Sequence, residues 1–332
     1  MLTGGSRRRN AIRSSALPTK IRRRHVREPN ETRARRHLGY AGDVRFAHLI
    51  LSPAGTPELV VVHDERFVPV QRLGAEHPTL QHLIEAGPDE LDRLRSAAVE
   101  LPDDAWAPLA DAAFAPAAIG APIVLAVGLN YDEHASELSL DNDSGPVLFS
   151  LFPNSLGAHE GEVPLPAHIS EEVDYEGELG VVIGRAAKNV SPEEALDYVF
   201  GYTAINDITA RNVQFQEPQW SRCKSFDGFT PIGPVVVTAD QIPDPQALRI
   251  TTDVDDLRVQ DSTTEFMIRT VAQLISSISQ SLTLLPGTVI STGSPGGAGR
   301  SRKPPLYLRP GTDVTVTIEG IGALTSHCIA AE

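Results

Sequence analysis

Short runs of aliphatic and β-branched residues recur from Val44 to the C-terminus, and glycine, proline or aspartate separates most of them. Runs of this kind are typical of β-strands. In the first third of the chain they are followed by two segments in which apolar residues have helical spacing. The pattern in this part predicts three strands and two helices, at 44–51, 58–63, 67–70, 79–85 and 88–101.

Beyond residue 120 the pattern predicts mainly strands, with two helices between them. A capping-box sequence that begins at Ser191 indicates the first helix, and an apolar stripe between Val271 and Leu282 indicates the second. The strands are predicted at 123–127, 179–183, 200–205, 234–238, 248–254, 314–318 and 323–329.

These elements predict a mostly β (α+β) fold. Residues 102–121 contain Ala-Pro repeats without periodicity, which indicates a linker. We therefore expect a small N-terminal α+β module at 41–115 and a main domain at 120–332. No apolar run approaches the roughly 18 residues of a membrane-spanning helix, so no membrane partner is expected. Two cysteines are too few for a disulfide framework, which favours a cytoplasmic location.

The net charge of −14 is unevenly distributed. Residues 1–40 carry 12 of the 29 Lys and Arg side chains and two of the 43 acidic ones, so the rest of the chain carries 17 basic and 41 acidic side chains. An acidic body of this kind repels nucleic acid and anionic lipid. The Arg-rich segment 1–40 has no apolar periodicity and predicts a disordered extension, although a nucleic-acid arm or a transit peptide shares this composition.

The most informative stretch is 174–184, in which Glu176 and Glu178 lead into an apolar strand. Side chains two residues apart on a strand project from the same face. Two buried carboxylates are costly there unless a cation or a shared proton compensates, although solvated strand faces show the same spacing. Asp207 follows the next predicted strand. If the two strands are neighbours, Asp207 completes a three-carboxylate site for a hard divalent cation.

Basic and amide side chains follow Asp207 along the chain. Arg211 and Gln214 are three residues apart, so one helical turn would place them on the same side. Lys224 precedes a turn rich in glycine and proline. It is either an ordinary surface lysine or, beside three acids, a cation suited to an enolate or a carboxylate.

Two further segments carry candidate chemistry. His134 and Glu137 are three residues apart, so one helical turn would let the carboxylate orient the imidazole for removing a proton from water; a surface ion pair has the same spacing. The polar segment 139–145 is typical of a mobile lid. The Gly-rich segment 291–299 follows a strand and could cradle an anion with its backbone N–H groups.

Taken together and in order, five segments resemble the motifs of the fumarylacetoacetate hydrolase family, in its branch of acylpyruvate hydrolases and 2-hydroxyhepta-2,4-diene-1,7-dioate isomerases. The resemblance implies a β-sandwich roll, usually dimeric, preceded by a small N-terminal module. The matching motifs are Gly-x-Asn-Tyr-x-x-His-x-x-Glu at 128–137, Asp-Tyr-Glu-x-Glu-Leu-x-Val-Val-Ile-Gly at 174–184, Gly-Tyr-x-x-x-Asn-Asp-x-Thr-Ala-Arg at 201–211, Lys-Ser-Phe-Asp-x-Phe-x-Pro-Ile-Gly-Pro at 224–234 and Thr-Gly-Ser-Pro-x-Gly at 292–297.

The same resemblance implies a metal site and a water-activating pair. Glu176, Glu178 and Asp207 would bind Mg²⁺, with Mn²⁺ or Ca²⁺ as alternatives. His134 and Glu137 would lie on a lid that orders over the substrate, and together they would activate water.

It also implies residues that bind a small 2-oxo acid. Lys224 and Gln214 would stabilise the substrate oxyanion, with Arg211 beside them, and Thr292 or Ser294 would hold a carboxylate. The reaction implied is hydrolysis of the carbon–carbon bond of an acylpyruvate-type 2,4-dioxo acid through a metal-stabilised enolate.

Two departures from the family pattern bear on the substrate. The family often has a lysine near positions 151–152, where this chain has Leu151 and Phe152, so one cation is missing from the lid region. Ser294 replaces a frequent threonine and keeps the hydroxyl. Two alternatives therefore stay open: an isomerase or decarboxylase of 2-oxo or 2-hydroxy-dienedioates or oxaloacetate, and a non-catalytic ligand-binding member whose basic tail recruits nucleic acid.

Overall fold

A computed structural model describes residues 44–52, 55–110, 112–133 and 146–331. Within these ranges the protein is mostly β, as predicted, and four α-helices accompany the strands. The helices are α1 (Leu80–Ala86), α2 (Pro88–Val99), α3 (Arg211–Gln216) and α4 (Val271–Ser281). The strands are β1 (Arg45–Ile50), β2 (Pro57–His63), β3 (Arg66–Pro69), β4 (Ala107–Pro108), β5 (Ala113–Ala115), β6 (Val124–Gly128), β7 (Val147–Leu151), β8 (Leu156–Gly157), β9 (Gly161–Leu165), β10 (Val173–Asp174), β11 (Gly177–Ile183), β12 (Val199–Asn206), β13 (Thr209–Ala210), β14 (Thr230–Thr238), β15 (Arg249–Val254), β16 (Leu257–Thr263), β17 (Val289–Ser291), β18 (Asp313–Ile318) and β19 (Gly322–Ala330).

A 12-stranded sheet forms the centre of the described fold. Its order is β4-β3-β2-β1-β14-β12-β11-β17-β6-β7, with β5 paired to β1 and β8 paired to β14. β1 pairs antiparallel with β14, so that Arg45 lies opposite Val237. The N-terminal strands therefore extend the same sheet that holds the strands of the C-terminal part. The division into modules at residues 115–120 remains a prediction.

The large sheet buries both of its faces, which explains why its central strand β11 is apolar from Leu179 onward, after Glu178 at its start. Leu179 and Val181 belong to a core that also contains Val316 of the second sheet, whose order is β16-β15-β18-β19-β9. Val182, which projects to the opposite face, packs in a second core with Leu83 of α1. The site described below lies where β11 begins and β12 ends.

Some segments differ from the sequence-based expectations. The segment after Ser191 forms a 3₁₀ turn at Ala195–Tyr198 instead of an α-helix, because the Ser191 hydroxyl donates to the Glu194 carboxylate over 3.2 Å and caps no backbone N–H. β4 and β5 lie in residues 102–121, where the pattern predicts a linker. The predicted stripe at 271–282 is confirmed as α4, which begins with a capping box between Thr270 and Gln273. Among the described residues, no helix is long and apolar enough to cross a membrane.

Candidate metal-dependent active site

Glu176, Glu178 and Asp207 come together because β11 and β12 are antiparallel neighbours. The register places Gly177 opposite Asn206, and the Asp207 N–H donates to the Glu176 carbonyl oxygen over 2.8 Å. All three carboxylates are buried, and one oxygen from each lies within 4.8 Å of the other two. The neighbouring strands that the sequence argument required are present. The role of the three residues as metal ligands stays a prediction.

Burial and mutual repulsion raise the pKa values of two of these carboxyl groups. Burial, followed by the charges of Asp207 and Glu176, raises the pKa of Glu178 to about 8. Burial also raises the pKa of Asp207 to about 6, although the Lys224 ammonium opposes this shift. A divalent cation would reverse both shifts by favouring the charged carboxylates.

Lys224 is a buried cation of the site. Its Nζ donates to Glu176 Oε2 over 2.5 Å and to Asp207 Oδ2 over 2.6 Å, and it lies 5.5 Å from the centre of the Phe149 ring. Burial alone would lower the pKa of Lys224, but the Asp207 and Glu176 charges outweigh burial and raise it. The interpretation as an ordinary surface lysine is therefore wrong, and the ammonium stays charged.

Arg211 links the triad to a fourth carboxylate. It begins α3, and its Nε donates to Asp174 over 2.8 Å while its Nη2 lies 2.7 Å from Glu176 Oε1. Its Nη1 donates to Gln214 Oε1 over 3.0 Å, so these two side chains share one side of a helical turn, as the spacing predicts. The pKa of Arg211 is raised by Glu176 and Asp174 despite complete burial.

The backbone N–H groups of the Gly-rich segment 291–299 bind carboxylates of the protein itself. Gly293 N–H donates to Glu178 Oε2 over 2.8 Å, and the Ser291 hydroxyl donates to the same oxygen over 2.6 Å. Gly299 N–H donates to Asp174 over 2.8 Å. The sequence indicates no role for the side chains of Asp174 and Ser291. Each of them nevertheless begins a segment singled out above, 174–184 and 291–299 respectively.

The two hydroxyls proposed to hold a carboxylate have different partners. Thr292 Oγ1 donates to the Leu179 carbonyl oxygen over 2.8 Å, so its hydrogen is used within the fold. Ser294 Oγ accepts a hydrogen bond from Gln260 Nε2 over 2.8 Å. Gln260 was also not identified from the sequence, because it lies on β16, 34 residues before Ser294, in a strand without a recognisable motif.

His134, Glu137 and the predicted lid at 139–145 lie outside the described residues.

Two apolar residues occupy positions 151–152, where the family often has a lysine. Leu151 is buried in β7, where it pairs with Val124, and Phe152 is 45% exposed.

The donor set fits a hard divalent ion. Every candidate ligand is a carboxylate oxygen, the type that Mg²⁺, Ca²⁺ and Mn²⁺ prefer. Asp207 Oδ1 is buried and has no hydrogen-bond partner within the described part of the chain, which is costly for a carboxylate oxygen unless a cation compensates. The cations Lys224 and Arg211 form ion pairs with three carboxylates, those of Glu176, Asp207 and Asp174, and Glu178 adds a fourth carboxyl group to the site. The arrangement can therefore bind a divalent cation.

These pKa values lead to an expectation for metal binding. Because burial raises the pKa of Glu178 to about 8 and that of Asp207 to about 6, Glu178 keeps most of its proton near pH 7, and a bound ion must displace that proton. Mn²⁺ affinity should therefore rise by up to about tenfold per pH unit between pH 6 and 8 and level off above. Both values lie above ordinary carboxyl values, so the metal-free protein should lose stability as the pH rises through them. Calorimetry in two buffers of different ionisation enthalpy measures both the affinity and the proton release. An affinity that stays constant over this range would contradict the assignment.

Comparison with known proteins gives a consistent family match. The profile described as fumarylacetoacetate (FAA) hydrolase C-terminal matches residues 123–329. An uncharacterised protein of Staphylococcus epidermidis is 44% identical over 204 residues, which cover 61% of this chain and 67% of that protein.

Solved structures resemble this fold over most of the chain. The fumarylacetoacetate hydrolase of Exiguobacterium antarcticum is 32% identical with a TM-score of 0.75, covering 87% of this chain and 100% of that one. A 2-hydroxyhepta-2,4-diene-1,7-dioate isomerase of Mycobacterium marinum is 32% identical with a TM-score of 0.66, covering 86% and 98%. The maleylpyruvate hydrolase of Sphingobium sp. SYK-6, in complex with manganese(II) and pyruvate, is 25% identical with a TM-score of 0.71, covering 87% and 100%.

Proposed function

Since this chain belongs to the fumarylacetoacetate hydrolase family, whose members are enzymes, we propose that it is a metal-dependent hydrolase of acylpyruvate-type 2,4-dioxo acids. In the proposed reaction water adds to the 4-oxo carbon and the bond between carbons 3 and 4 breaks. The electron pair of that bond passes to the pyruvate fragment, which takes up a proton at carbon 3. The products are pyruvate and the carboxylic acid of the acyl group.

One observation carries the proposal: three buried carboxylates meet beside a buried ammonium group. Glu176, Glu178 and Asp207 lie within 4.8 Å of one another, and Lys224 donates to two of them. The maleylpyruvate hydrolase of similar fold, described with manganese(II) and pyruvate, supports both the type of ion and the 2-oxo acid product.

Glu176, Glu178 and Asp207 would hold the divalent ion. When bound, such an ion supplies Lewis-acid polarisation of the 2-oxo and carboxylate oxygens of the substrate. The Ser291 hydroxyl and the Gly293 N–H fix one Glu178 oxygen. Donors of this kind orient a ligand and are part of what sets the affinity of a metal site.

Lys224 and Gln214 would stabilise the negative charge that develops on the substrate. An ammonium has three N–H donors, and Glu176 and Asp207 accept two of those of Lys224, which leaves one for a substrate oxygen. Arg211 holds Gln214 by its amide oxygen, so the amide N–H₂ of Gln214 keeps its donors for the substrate. A cation and an amide donor in a buried site stabilise such charge far more than water does.

Of the two candidate hydroxyls, Ser294 is the one that we propose holds the substrate carboxylate. The Thr292 hydrogen is donated to Leu179 within the fold, whereas Ser294 accepts a hydrogen bond from Gln260 and can donate its own hydrogen. His134 and Glu137 would complete the reaction by removing a proton from the attacking water.

The proposal is tested by measuring product formation from a small panel of acylpyruvates and from oxaloacetate. We expect His134→Ala and Glu137→Ala each to reduce pyruvate release from acylpyruvates by about 100- to 10,000-fold, the usual contribution of general acid–base catalysis. If both variants cleave acylpyruvates at the wild-type rate, hydrolysis by this pair is wrong.

A second candidate function is supported by the isomerase of Mycobacterium marinum, which has the same fold and 32% identity. A divalent ion held by the same triad, together with Lys224, would polarise a 2-oxo acid and so would also serve isomerisation of a dienedioate or decarboxylation of oxaloacetate. Neither of these reactions needs an attacking water. Retention of oxaloacetate decarboxylation in His134→Ala, with no acylpyruvate cleavage in the wild type, would favour this candidate.

A further inference from the structure

Gln260 connects the second sheet to two segments of the site. It lies on β16 and is buried, and its side-chain amide makes four hydrogen bonds. Oε1 accepts from the Gly177 N–H over 2.9 Å and from the Thr252 hydroxyl over 2.7 Å. Nε2 donates to Ser294 Oγ and to the Pro295 carbonyl oxygen, both over 2.8 Å. We infer that Gln260 is a positioning residue that turns the Ser294 hydroxyl into a hydrogen-bond donor for the substrate carboxylate.

The orientation of this amide follows from its backbone partners. The Gly177 N–H can only donate, so the amide atom facing it is the oxygen. The Pro295 carbonyl oxygen can only accept, so the amide atom facing it is the nitrogen. Because an amide nitrogen has no acceptor capacity, Ser294 Oγ must accept in its hydrogen bond with Gln260.

Among the described residues, the Ser294 hydroxyl has only a long contact for its own hydrogen. Within the described part of the chain, the other hydrogen-bond acceptor near Ser294 Oγ is the Pro295 carbonyl oxygen at 3.4 Å, which is long for an O–H donor and already accepts from Gln260. The Gly293 N–H donates to Glu178 of the triad, and Ser294 is the next residue in the chain. The Ser294 hydroxyl is therefore carried by the neighbour of a residue that contacts the triad. An anionic oxygen at the triad is the acceptor that suits it.

Two glycines allow the second sheet to lie close to the site. A Cβ atom at Gly177 would lie 2.2 Å from Thr252 Oγ1, and one at Gly297 would lie 2.3 Å from the Val259 carbonyl oxygen. Gly297 also has a φ of +103°, which a residue with a side chain rarely adopts. Both glycines let β15 and β16 approach the site closely enough for a glutamine to reach Ser294.

This inference rests on the proposed function, since it requires a carboxylate ligand. Its test compares wild type, Gln260→Glu, Ser294→Ala, the double variant and Thr252→Val, using Mn²⁺ alone and then pyruvate added to the Mn²⁺-loaded protein as calorimetric probes. Gln260→Glu keeps an acceptor for Gly177 but replaces the donor that faces Ser294, so the hydroxyl hydrogen turns toward the new carboxylate. Thr252→Val is the matched control, because it removes a partner from the other end of the same amide.

We expect Gln260→Glu to weaken pyruvate binding by about 10- to 100-fold, the scale of a hydrogen bond to a charged group, while Mn²⁺ affinity stays within about twofold of wild type. Ser294→Ala should show a similar loss, and the double variant should lose little more. Thr252→Val should bind pyruvate as wild type does.

Three results would overturn the inference. The first is unchanged pyruvate binding in Gln260→Glu. The second is an equal loss of Mn²⁺ and pyruvate affinity in that variant, which would show that Gln260 is a brace for the whole site. The third is a fully additive loss in the double variant, which would show that Gln260 does not act through Ser294. If Mn²⁺-loaded wild type does not bind pyruvate, the proposed function fails and this inference fails with it.

Discussion

Glu178→Gln should weaken Mn²⁺ binding by at least about 100-fold. Changing a residue that only contacts a metal ligand costs up to about 100-fold in affinity, and losing a ligand itself should cost no less. The Ser291 hydroxyl and the Gly293 N–H both donate to Glu178 Oε2, so the amide oxygen of the variant must take that place. The amide N–H₂ then faces Glu176 and Asp207, where it offers hydrogens in place of a metal ligand. Isothermal calorimetry at pH 8 measures the loss, and Glu193→Gln, a change at an exposed carboxylate, serves as the control.

The same variant should fold normally without metal. It replaces a carboxylate whose pKa is raised to about 8 by burial and by neighbouring charges, so the metal-free variant should melt at or above the wild-type temperature at pH 8. Added Mn²⁺ should raise the melting temperature of wild type but leave the variant unchanged. Equal stabilisation of both proteins by Mn²⁺ would contradict the assignment of Glu178 as a ligand.

The second large effect is expected from Lys224→Met. This change removes the ammonium that Glu176 and Asp207 share and leaves two buried carboxylates close together. Breaking a buried ion pair by removing one partner costs about 3–5 kcal/mol, so the free energy of unfolding of the metal-free protein should fall by that amount. Mn²⁺ should restore part of the lost stability, because it adds positive charge at the same carboxylates.

Urea unfolding of the metal-free proteins measures this difference. Lys188→Met is the matched control, since Lys188 is exposed and donates to the Gln280 carbonyl oxygen. This variant should lose less than about 1 kcal/mol of unfolding free energy. A loss in Lys224→Met no larger than in the control would mean that the carboxylates do not depend on the ammonium.

The centre of the site was predictable from the sequence because it depends on local spacing and on one strand pairing. The spacing of Glu176 and Glu178 fixes their common face. β11 and β12 are consecutive strands of the chain, which favours their pairing although residues 184–198 lie between them. The helical spacing of Arg211 and Gln214 is likewise local. Such patterns are visible within ten residues of chain.

Other contacts of the site could not be assigned from the sequence. The Gly-rich segment 291–299 indicates backbone N–H groups that bind an anion, but it does not reveal that Gly293 and Gly299 donate to the protein's own carboxylates at Glu178 and Asp174. Gln260 contacts Gly177 across 83 residues of sequence, and only the packing of β16 against the site brings them together. Burial, the main cause of the raised pKa values of Glu178 and Asp207, is also a property of the folded chain.

Secondary structure shows the same division between local and non-local determinants. Apolar runs correctly marked β11 and β12, whose faces are both covered. β16 has several exposed positions and a polar sequence, so its own pattern does not predict a strand. It is a strand because it pairs with β15. At Ser191 the capping-box sequence favoured a helix, but the hydroxyl bonds the Glu194 side chain and the chain makes only a 3₁₀ turn.

The most direct test of the account is pyruvate release from an acylpyruvate by the full chain, first stripped of metal with a chelator and then reconstituted. We expect no release above background from the stripped protein and recovery on adding Mg²⁺ or Mn²⁺. Glu178→Gln should show no recovery. Release at the same rate with and without metal, or no release from protein that calorimetry shows to be loaded with Mn²⁺, would contradict it.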